Sequence, residues 1–488
     1  MTVSLRRPPP SPDRPRDRHD DGAERSGPVA IGAVVGAAVV VAGVALRGAW
    51  LSARGVDLHL SGGQPLTGRL DVRLPPALLL PVVVGVGLIV VGPVAAARWR
   101  WPVLLAGTWV AGAAWAVSLA LVDGVRALGA PLTTRWEYLH DVDRVGAVPE
   151  FLRTFTDHVL GGSPGFQWVT HVSGHPPGAL LVFAGLDRLG LSGAGWAGAL
   201  CIAAGASAAP AVLVTVRHLA DGDVARRVAP FVVLAPAALW IATSADALFC
   251  GVTSWGVAAL ASAASGRGRG ADLRAAAGGL ALGVALFLSY GLVLIGVLAV
   301  VVVVVRRRVR PLVVGGTVVV AVVASFAALG FWWWDGFLTA AERVREGSAW
   351  IDRPAGYFVA VNVAAVAVCV GPATVAGLAL LTRNGLARGV SARGGPAPGG
   401  PAPGRLLRNG LARGVLARAV VLPVTAGGLV LAATASGLAK GEVERIFLPF
   451  AVWLLVAAGA LAPREQRRWL AAQAAVALVV QLGWMLKW

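Results

Sequence analysis

The chain has 488 residues, of which 57% are hydrophobic and 14% are charged, and its formal net charge is +18. This composition excludes an ordinary soluble globular protein. Repeated apolar runs of about 20 residues, each long enough to cross ~30 Å of hydrocarbon, predict a polytopic membrane protein instead. The excess of Arg and Lys is explained by cytoplasmic loops, so nucleic acid is not expected as a partner. The three cysteines lie inside apolar runs, which predicts buried free thiols at Cys201, Cys250 and Cys369.

The apolar runs predict an all-α fold with about 13 transmembrane helices. Residues 1–27 are Pro-rich and charged, so they are expected to form a disordered cytoplasmic tail. Residues 28–381 should form the transmembrane core, including a large loop at 125–192 with a juxtamembrane helix, and residues 419–488 should form the last helices. The predicted spans lie at about 28–50, 75–96, 102–124, 193–217, 227–244, 247–265, 275–289, 291–305, 311–331, 357–381, 419–438, 447–462 and 468–487.

Residues 382–418 differ in character from the segments on either side. The sequence RNGLARGVSAR at 383–393 recurs as RNGLARGVLAR at 408–418, around the filler GGPAPGGPAPG. A direct repeat around Pro/Gly-rich filler predicts a flexible cytoplasmic linker. Its seven arginines either only set the topology of the chain or also contact anionic lipid headgroups.

The distribution of charge between alternate loops predicts the orientation of the chain. One side holds 28 Lys and Arg against 9 Asp and Glu, whereas the other side holds 15 and 16. Because basic loops stay in the cytoplasm, we expect a multi-pass protein of the cell membrane with a cytoplasmic N-terminus and an external loop at 125–192. The basic side comprises the tail and the loops near residues 98, 221, 270, 308, 400 and 466.

The longest polar segment in the hydrophobic body runs from Arg135 to Gly178. It combines four of the seven histidines with a cluster of acids and interleaved aromatic residues. Long loops with internal apolar anchors are more often functional than idle, so a working site is expected here. The histidines and acids are His140, His158, His171 and His175 with Glu137, Asp141, Asp143, Glu150 and Asp157.

Four short motifs follow one another in loops and at helix ends: WEYLHD at 136–141, HVSGHPPG at 171–178, SADALF at 244–249 and GEVERIFLPF at 441–450. In this order they resemble motifs of the C superfamily of membrane glycosyltransferases, of the protein O-mannosyltransferase and aminoarabinose-transferase type. The histidine and paired prolines resemble the signature that opens a short helix in that family. The resemblance covers residues 130–305 well and the rest of the chain only in topology.

The resemblance implies an inverting glycosyltransferase that takes its sugar from a polyprenyl-phosphate donor in the membrane lipid. The general base is expected at Glu137, with Asp141 as the second and Asp143 as the third choice. Asp141 would share a helical face with Glu137. Partial desolvation at headgroup depth would raise the pKa of Glu137 toward the working pH. The expected donor-phosphate contacts are His171, His175 and Arg445, and the expected substrate contacts are Tyr138, Asp246, Trp334 and Asp335.

Each candidate also has a purely structural interpretation. The three loop acids could be solvated, Asp246 could be a helix N-terminal acid favoured by the dipole, and Arg445 could belong to an interfacial ion pair. Residues 332–334, three tryptophans, are typical of an interfacial belt. Pro176 and Pro177 disfavour helical geometry around the two nearest histidines, which favours phosphate contact there over a metal site. A divalent cation stays open as a cofactor, and the acceptor, whether glycan, lipid or protein, is not identified.

The main competing function is a transporter or lipid flippase. A transporter is expected to carry ionisable residues near span centres and interrupted helices in repeated halves. Here the spans are almost free of charge and the polar residues collect on one face, which favours an interfacial enzyme. A non-catalytic membrane scaffold is disfavoured by the density of histidines and acids in the large loop.

Overall fold

The computed structural model describes residues 27–60, 65–162, 165–242, 244–393 and 418–486. The chain is helical over most of this length, and its apolar helices indicate a membrane-embedded all-α protein. Among the described residues, seven helices are long and apolar enough to cross a membrane, or eight if one bent pair counts as a span. The seven are Gly27–Ala53, Pro76–Arg98, Trp101–Asp123, Ala194–Leu219, Ala245–Ser265, Arg310–Ala328 and Ala355–Asn384, and the bent pair is Leu448–Ala460 with Pro463–Gly483.

The α-helices are joined by short 3₁₀ helices and by one pair of strands. In chain order the α-helices are α1 (Gly27–Ala53), α2 (Leu79–Arg98), α3 (Trp101–Ala120), α4 (Val148–Thr154), α5 (Thr170–Ser173), α6 (Gly178–Arg188), α7 (Ala194–Ala206), α8 (Ala208–Leu219), α9 (Gly222–Val233), α10 (Ala245–Ser265), α11 (Arg269–Leu286), α12 (Ile295–Val305), α13 (Arg310–Ala328), α14 (Trp333–Glu346), α15 (Ser348–Asp352), α16 (Ala355–Arg393), α17 (Val421–Ala435), α18 (Val443–Ile446), α19 (Leu448–Leu454) and α20 (Gln466–Gly483). The 3₁₀ helices are Pro76–Leu78, Leu121–Asp123, Val125–Leu128, Ala130–Thr133, Tyr138–His140, Val142–Arg144, Phe155–His158, Pro236–Trp240, Tyr290–Leu294, Leu455–Ala460 and Pro463–Glu465. Strands β1 (Gly68–Leu70) and β2 (Trp484–Leu486) pair antiparallel.

The predicted number of 13 spans is not confirmed, because several apolar runs form short or broken helices. The run at 227–244 is divided between α9 and the 3₁₀ helix that begins at Pro236, where the ring removes a main-chain donor. The helices Tyr290–Val305 and Val421–Ala435 have fewer than 18 residues each. The last two predicted spans meet at a bend of 113°.

Three other expectations concern the tail, the linker and the cysteines. The tail, up to residue 26, and residues 394–417 of the linker lie outside the described residues. Helix α16 continues to Arg393, so the first part of the predicted linker is helical. The three cysteines are buried and free, as predicted.

Helix α10 is the central element of the helical body. Of its apolar window 78% is buried, compared with 11% for α1 and 11% for α13. It packs against α7, α8, α11 and α12. The N-terminal turn of α10 therefore lies inside the protein, and Asp246 in that turn is buried.

Helix α16 is broken at Gly371, whose φ of +73° lies in a region that glycine adopts readily. The next residue, Pro372, has no N–H to donate. The buried side chain of Gln473, from α20, fills the break. Its Nε2 donates to the Val370 carbonyl oxygen at 2.9 Å, and its Oε1 accepts from the Ala373 N–H at 3.3 Å. One amide thus supplies partners for main-chain groups on both sides of the break.

Candidate functional site

The loop at 125–192 has an apolar core of its own. The Trp168 ring stacks on Phe155 with centroids 5.6 Å apart and meets Phe151 edge-on at 5.8 Å. The Trp168 indole N–H donates to the Phe155 carbonyl oxygen at 2.8 Å. The Ser173 hydroxyl donates to the Trp168 carbonyl oxygen, also at 2.8 Å. This core therefore holds the short helix α5, and with it the side chain of His171.

Asp141 ties the same helix to the loop. Its Oδ2 accepts from the Val169 N–H at 2.8 Å, and its Oδ1 pairs with Arg144 Nε at 2.9 Å. The expectation that Asp141 and Glu137 share an α-helical face is wrong, because residues 138–140 form a 3₁₀ turn. Both carboxylate oxygens of Asp141 therefore have partners inside the loop.

Glu137 and His171 form the first contact of the site. His171 Nδ1 lies 2.8 Å from Glu137 Oε1. The His171 main-chain N–H donates to the Trp136 carbonyl oxygen at 2.9 Å. Both side chains are buried, and only 1% of Glu137 is exposed. Glu137 Oε2 has no hydrogen-bond partner among the described residues, so one oxygen of this carboxylate is still available as an acceptor.

Arg445, in α18, joins this pair to helix α10. Its Nη2 lies 2.7 Å from His171 Nε2, and its Nη1 lies 3.0 Å from Asp246 Oδ2 and 4.0 Å from Glu137 Oε1. A guanidinium group can only donate, so His171 Nε2 accepts and Nδ1, which lies 2.8 Å from Glu137 Oε1, carries the proton of the neutral ring. These four residues, Glu137, His171, Asp246 and Arg445, are called the buried charge network below.

Asp246 is positioned by the cap of helix α10. Its main-chain N–H donates to Ser244 Oγ at 3.0 Å, and the Ser244 hydroxyl donates to Asp246 Oδ2 at 2.8 Å. The predicted location of Asp246 in the first turn of a helix is confirmed. Sequence reasoning missed the role of Ser244, although a serine just before an apolar helix is a preferred N-cap residue and could have identified it.

Burial and neighbouring groups act on Glu137 in opposite directions. Burial acts to raise its pKa, but the interactions with His171 and the charge of Arg445 outweigh burial and lower the pKa below its ordinary 4.5. The expectation of a pKa raised toward the working pH is therefore wrong. Glu137 is a carboxylate at neutral pH, which is the form that can accept a proton.

His175 is uncharged at neutral pH. Burial lowers its pKa to about 4, although the nearby Asp246 acts in the other direction. Its Nδ1 lies 2.7 Å from the His171 carbonyl oxygen, so Nδ1 donates and Nε2 is left as an acceptor. The Tyr138 ring meets the imidazole at 5.8 Å between centroids. His175 therefore does not supply the cation that a phosphate contact was expected to need.

A cavity of about 390 Å³ opens beside the buried charge network. Asp246 and His175 lie on its polar wall, together with Ser289 and Tyr290. The rest of the lining is mostly apolar and comes mainly from residues 291–294, α14, residues 432–439 and the segment 446–450. This shape suits a ligand with a polar head and an apolar chain.

Three predicted residues, Asp143, Trp334 and Asp335, have no recorded contact with the network among the described residues. Trp334 and Asp335 are exposed on α14. The Trp334 ring packs against the cavity-lining Phe337 at 5.5 Å. Asp143 is exposed and borders a second pocket of about 190 Å³ with Asp187. These positions leave Trp334 and Asp335 close to the cavity, and Asp143 at a separate pocket.

The sequence analysis assigned no role to Glu444. The structure buries this side chain, and its Oε1 accepts from the Thr67 N–H at 2.7 Å. Burial raises the pKa of Glu444. Glu444 thus ties the segment after α1 to α18, next to Arg445. No local pattern marks such a contact, because Thr67 lies 377 residues away in the chain.

No group of three or more His, Cys, Asp or Glu side chains suited to a metal ion occurs in the part of the chain that the structure describes. The network acids bind Arg445, His171 and Ser244 instead, so these residues do not fit the divalent cation that the sequence left open. No protein-family model matches the chain, and no curated protein matches it.

Proposed function

We propose that the protein is a membrane glycosyltransferase that moves a sugar from a polyprenyl-phosphate carrier to an acceptor outside the membrane. The observation that carries the proposal is the position of Asp246, which joins the buried charge network to the polar wall of the apolar cavity. The cavity would hold the isoprenoid chain next to the carrier phosphate. The network would supply the carboxylates that the reaction needs.

The chemistry is a single displacement at the anomeric carbon of the sugar. The acceptor oxygen forms a bond to this carbon, the bond from the carbon to the phosphate oxygen breaks, and its electron pair leaves with the carrier phosphate. The acceptor proton goes to a carboxylate. Asp246 lines the cavity, and Glu137 is linked to it through Arg445. The charge of Arg445 is among the causes that lower the pKa of Glu137, and the lowered pKa keeps Glu137 in the form that can receive a proton.

The proposal places the other predicted residues around this reaction. Tyr138 packs against His175 and His171, and would contact the sugar. Trp334 and Asp335, on the helix that forms one wall of the cavity, would contact the acceptor or the donor. The proposal also places the N-terminus in the cytoplasm and the loop at 125–192 outside the membrane. It counts the short apolar helices as membrane spans, which gives the 13 spans expected from the sequence.

One observation favours a flippase as the second candidate. Helix α16 is interrupted at Gly371, and interrupted helices are typical of transporters. The interruption, however, is closed by Gln473, whereas the cavity is lined by other helices. The enzyme is therefore the better supported function.

The test is transfer by the purified full-length protein, supplied with a labelled polyprenyl-phosphate sugar and a membrane extract as acceptor. Asp246→Asn and Glu137→Gln should each lower the transfer rate roughly 10²- to 10⁴-fold, because a proton acceptor is lost. Glu150→Gln makes the same chemical change at an exposed acid of the same loop and should leave the rate unchanged. Carrier lipid moved across a vesicle membrane without any sugar transfer would support the flippase instead.

A further inference from the structure

Three arginines from different parts of the chain gather near His218. Arg217 lies in the last turn of α8, Arg274 lies in α11, and Arg306 directly follows α12. The positive charges of all three act on the His218 imidazole, and among the described residues no acid does so. These three arginines are called the arginine cluster below.

The arginine cluster lies far from the buried charge network. Helix α10 begins beside the network at Asp246, and its 21 residues give it a length of about 30 Å. At its far end is Gly266, where a Cβ would lie 2.5 Å from Arg274 Nη2. The helix Tyr290–Val305, which is followed by Arg306, likewise begins at the cavity that Asp246 lines. Because α10 is long and apolar enough to cross a membrane, the network and the cluster face opposite leaflets.

The acids that lie within four residues of the cluster in the sequence are bound by other groups. Asp272 accepts from Arg310 Nε at 2.8 Å and from Arg310 Nη2 at 2.7 Å. Asp221 caps α9, because it accepts from the Val224 N–H at 2.8 Å. Among the described residues, none of the three arginines forms an ion pair or a side-chain hydrogen bond. Like charges therefore converge without an acid, and an anion between them would be attracted by all three.

Uncharged neighbours hold two of the guanidinium groups in place. Arg217 lies over the Trp101 ring, 4.4 Å from its centroid. Arg274 is turned back over the loop before its own helix, with Nη2 next to Gly266. Arg217 and Arg306 stand at the C-terminal ends of helices, where the dipole favours a cation, but Arg274 lies near the start of α11. The helix dipoles therefore account for two of the charges and not for their convergence.

The surroundings of the cluster favour a lipid over a soluble anion. Leu273, Val304 and Val309, which are close neighbours of Arg274 and Arg306 in the sequence, are exposed. Exposed apolar side chains next to cations suit the boundary between hydrocarbon and headgroups, where basic side chains attract anionic lipid.

We propose that the arginine cluster binds the phosphate group of an anionic phospholipid in the leaflet opposite the buried charge network. The phosphate lies between guanidinium groups that different helices supply, so the lipid connects the ends of those helices. The site takes no part in the proposed reaction and does not depend on it.

The chain offers a matched arginine for the test. Arg135 lies over the Trp136 ring at 4.2 Å, as Arg217 lies over Trp101 at 4.4 Å, so glutamine at either position removes one charge and one ring contact. The measurement is equilibrium binding of phosphatidylglycerol and of phosphatidylcholine with the same acyl chains to the purified full-length protein. Arg217→Gln should weaken binding of phosphatidylglycerol roughly fivefold, because one cation at the headgroup is lost, and leave binding of phosphatidylcholine unchanged. Arg135→Gln should bind both lipids like the wild type.

Arg274 gives a second test that does not involve a ring contact. Arg274→Gln should weaken binding of phosphatidylglycerol by a similar factor, whereas Arg274→Lys keeps the charge and should bind it nearly like the wild type. If Arg217→Gln does not fold, the two variants at position 274 decide the outcome.

Three outcomes would contradict the site. Unchanged binding of phosphatidylglycerol to both Arg217→Gln and Arg274→Gln would exclude the cluster. An equal loss in Arg135→Gln would show a response to net charge alone. Full displacement of phosphatidylglycerol by inorganic phosphate at constant ionic strength would assign the cluster to a soluble anion. Because no sugar donor is present, each result is independent of whether the protein transfers sugar.

Discussion

Arg353 and Arg445 are both buried, and both lie within 4.0 Å of Glu442. They nevertheless bind different kinds of partner. Arg353 Nε donates to the Leu58 carbonyl oxygen at 3.1 Å and its Nη2 to the His59 carbonyl oxygen at 3.0 Å. Its Nη1 donates to the Lys440 carbonyl oxygen. All three acceptors are main-chain groups, so Arg353 binds together two loops that are distant in the sequence.

Arg445, by contrast, binds side chains that can change their protonation. His171 and Asp246 contact its two terminal nitrogens. Glu442 lies between the two arginines, with its carboxylate 3.5 Å from Arg445 and 4.0 Å from Arg353. Main-chain carbonyls do not titrate in the physiological range, whereas carboxylates and imidazoles can take part in proton transfer. Burial alone therefore does not distinguish the two arginines, whereas their partners do: main-chain carbonyls at Arg353, and side chains able to exchange protons at Arg445.

The largest expected effect comes from truncating the two arginines. Arg445→Ala leaves two buried carboxylates without their cation, so the free energy of unfolding should fall by about 3–5 kcal/mol. Transfer per folded molecule should fall at least a hundredfold as well. Arg353→Ala should lose roughly 1 kcal/mol for each hydrogen bond and keep its activity per folded molecule. Denaturant unfolding and transfer assays on the same preparations measure both quantities.

The comparison would be broken by equal activity losses in the two variants after correction for the folded fraction. In that case Arg353 would also act on the reaction, and the distinction by partner type would not hold.

A smaller effect is expected in the pH dependence of stability. The pKa of His175 is lowered from 6.5 to about 4, so below pH 6.5 the unfolded chain binds a proton that the folded chain does not. His175 therefore contributes stability that is present above pH 6.5 and is lost as the pH falls toward 4, up to about 3 kcal/mol. His175→Asn should flatten this slope in thermal unfolding. His59→Asn, beside Arg353, is the control. Asparagine tolerates the positive φ of position 59, and this variant should keep the dependence of stability on pH that His175 supplies.

The smallest effect is expected at Glu442, which lies between the two regions. Its side chain is 23% exposed and its contacts are 3.5 Å and 4.0 Å long, so solvent screens them. Glu442→Gln should reduce the free energy of unfolding by less than about 1 kcal/mol. A loss of stability as large as that of Arg353→Ala would show that the surroundings of Arg353 and those of Arg445 unfold as one cooperative unit.

The sequence identified the members of the buried charge network singly but not their contacts. Glu137, His171, Asp246 and Arg445 each stand in a recognisable local setting, beside an aromatic residue, near paired prolines or at a helix start. Asp246 and Arg445, however, are 199 residues apart, and their pairing follows from helix packing. The wrong direction for the pKa of Glu137 has the same origin, because burial was visible in the sequence and its partners were not.

The same limit applies to the fold. Apolar runs predicted where helices lie, because hydrophobic length is a local property. They did not predict which helices are interrupted at Pro236 and Gly371, or the bend near the C-terminus. Arg353 escaped notice entirely, since its partners are main-chain carbonyls and no residue pattern marks them.

The break in helix α16 has a consequence for the biogenesis of the protein. The main-chain groups around Gly371 find their partners in Gln473, and the Ala373 N–H and its acceptor are separated by 100 residues. During synthesis α16 leaves the ribosome well before α20, and an unpaired main-chain group in hydrocarbon is costly. The interrupted helix therefore cannot reach its final environment in the bilayer until α20 arrives. The folding of α16 is thus coupled to the insertion of a helix whose contact residue follows 100 residues later in the chain.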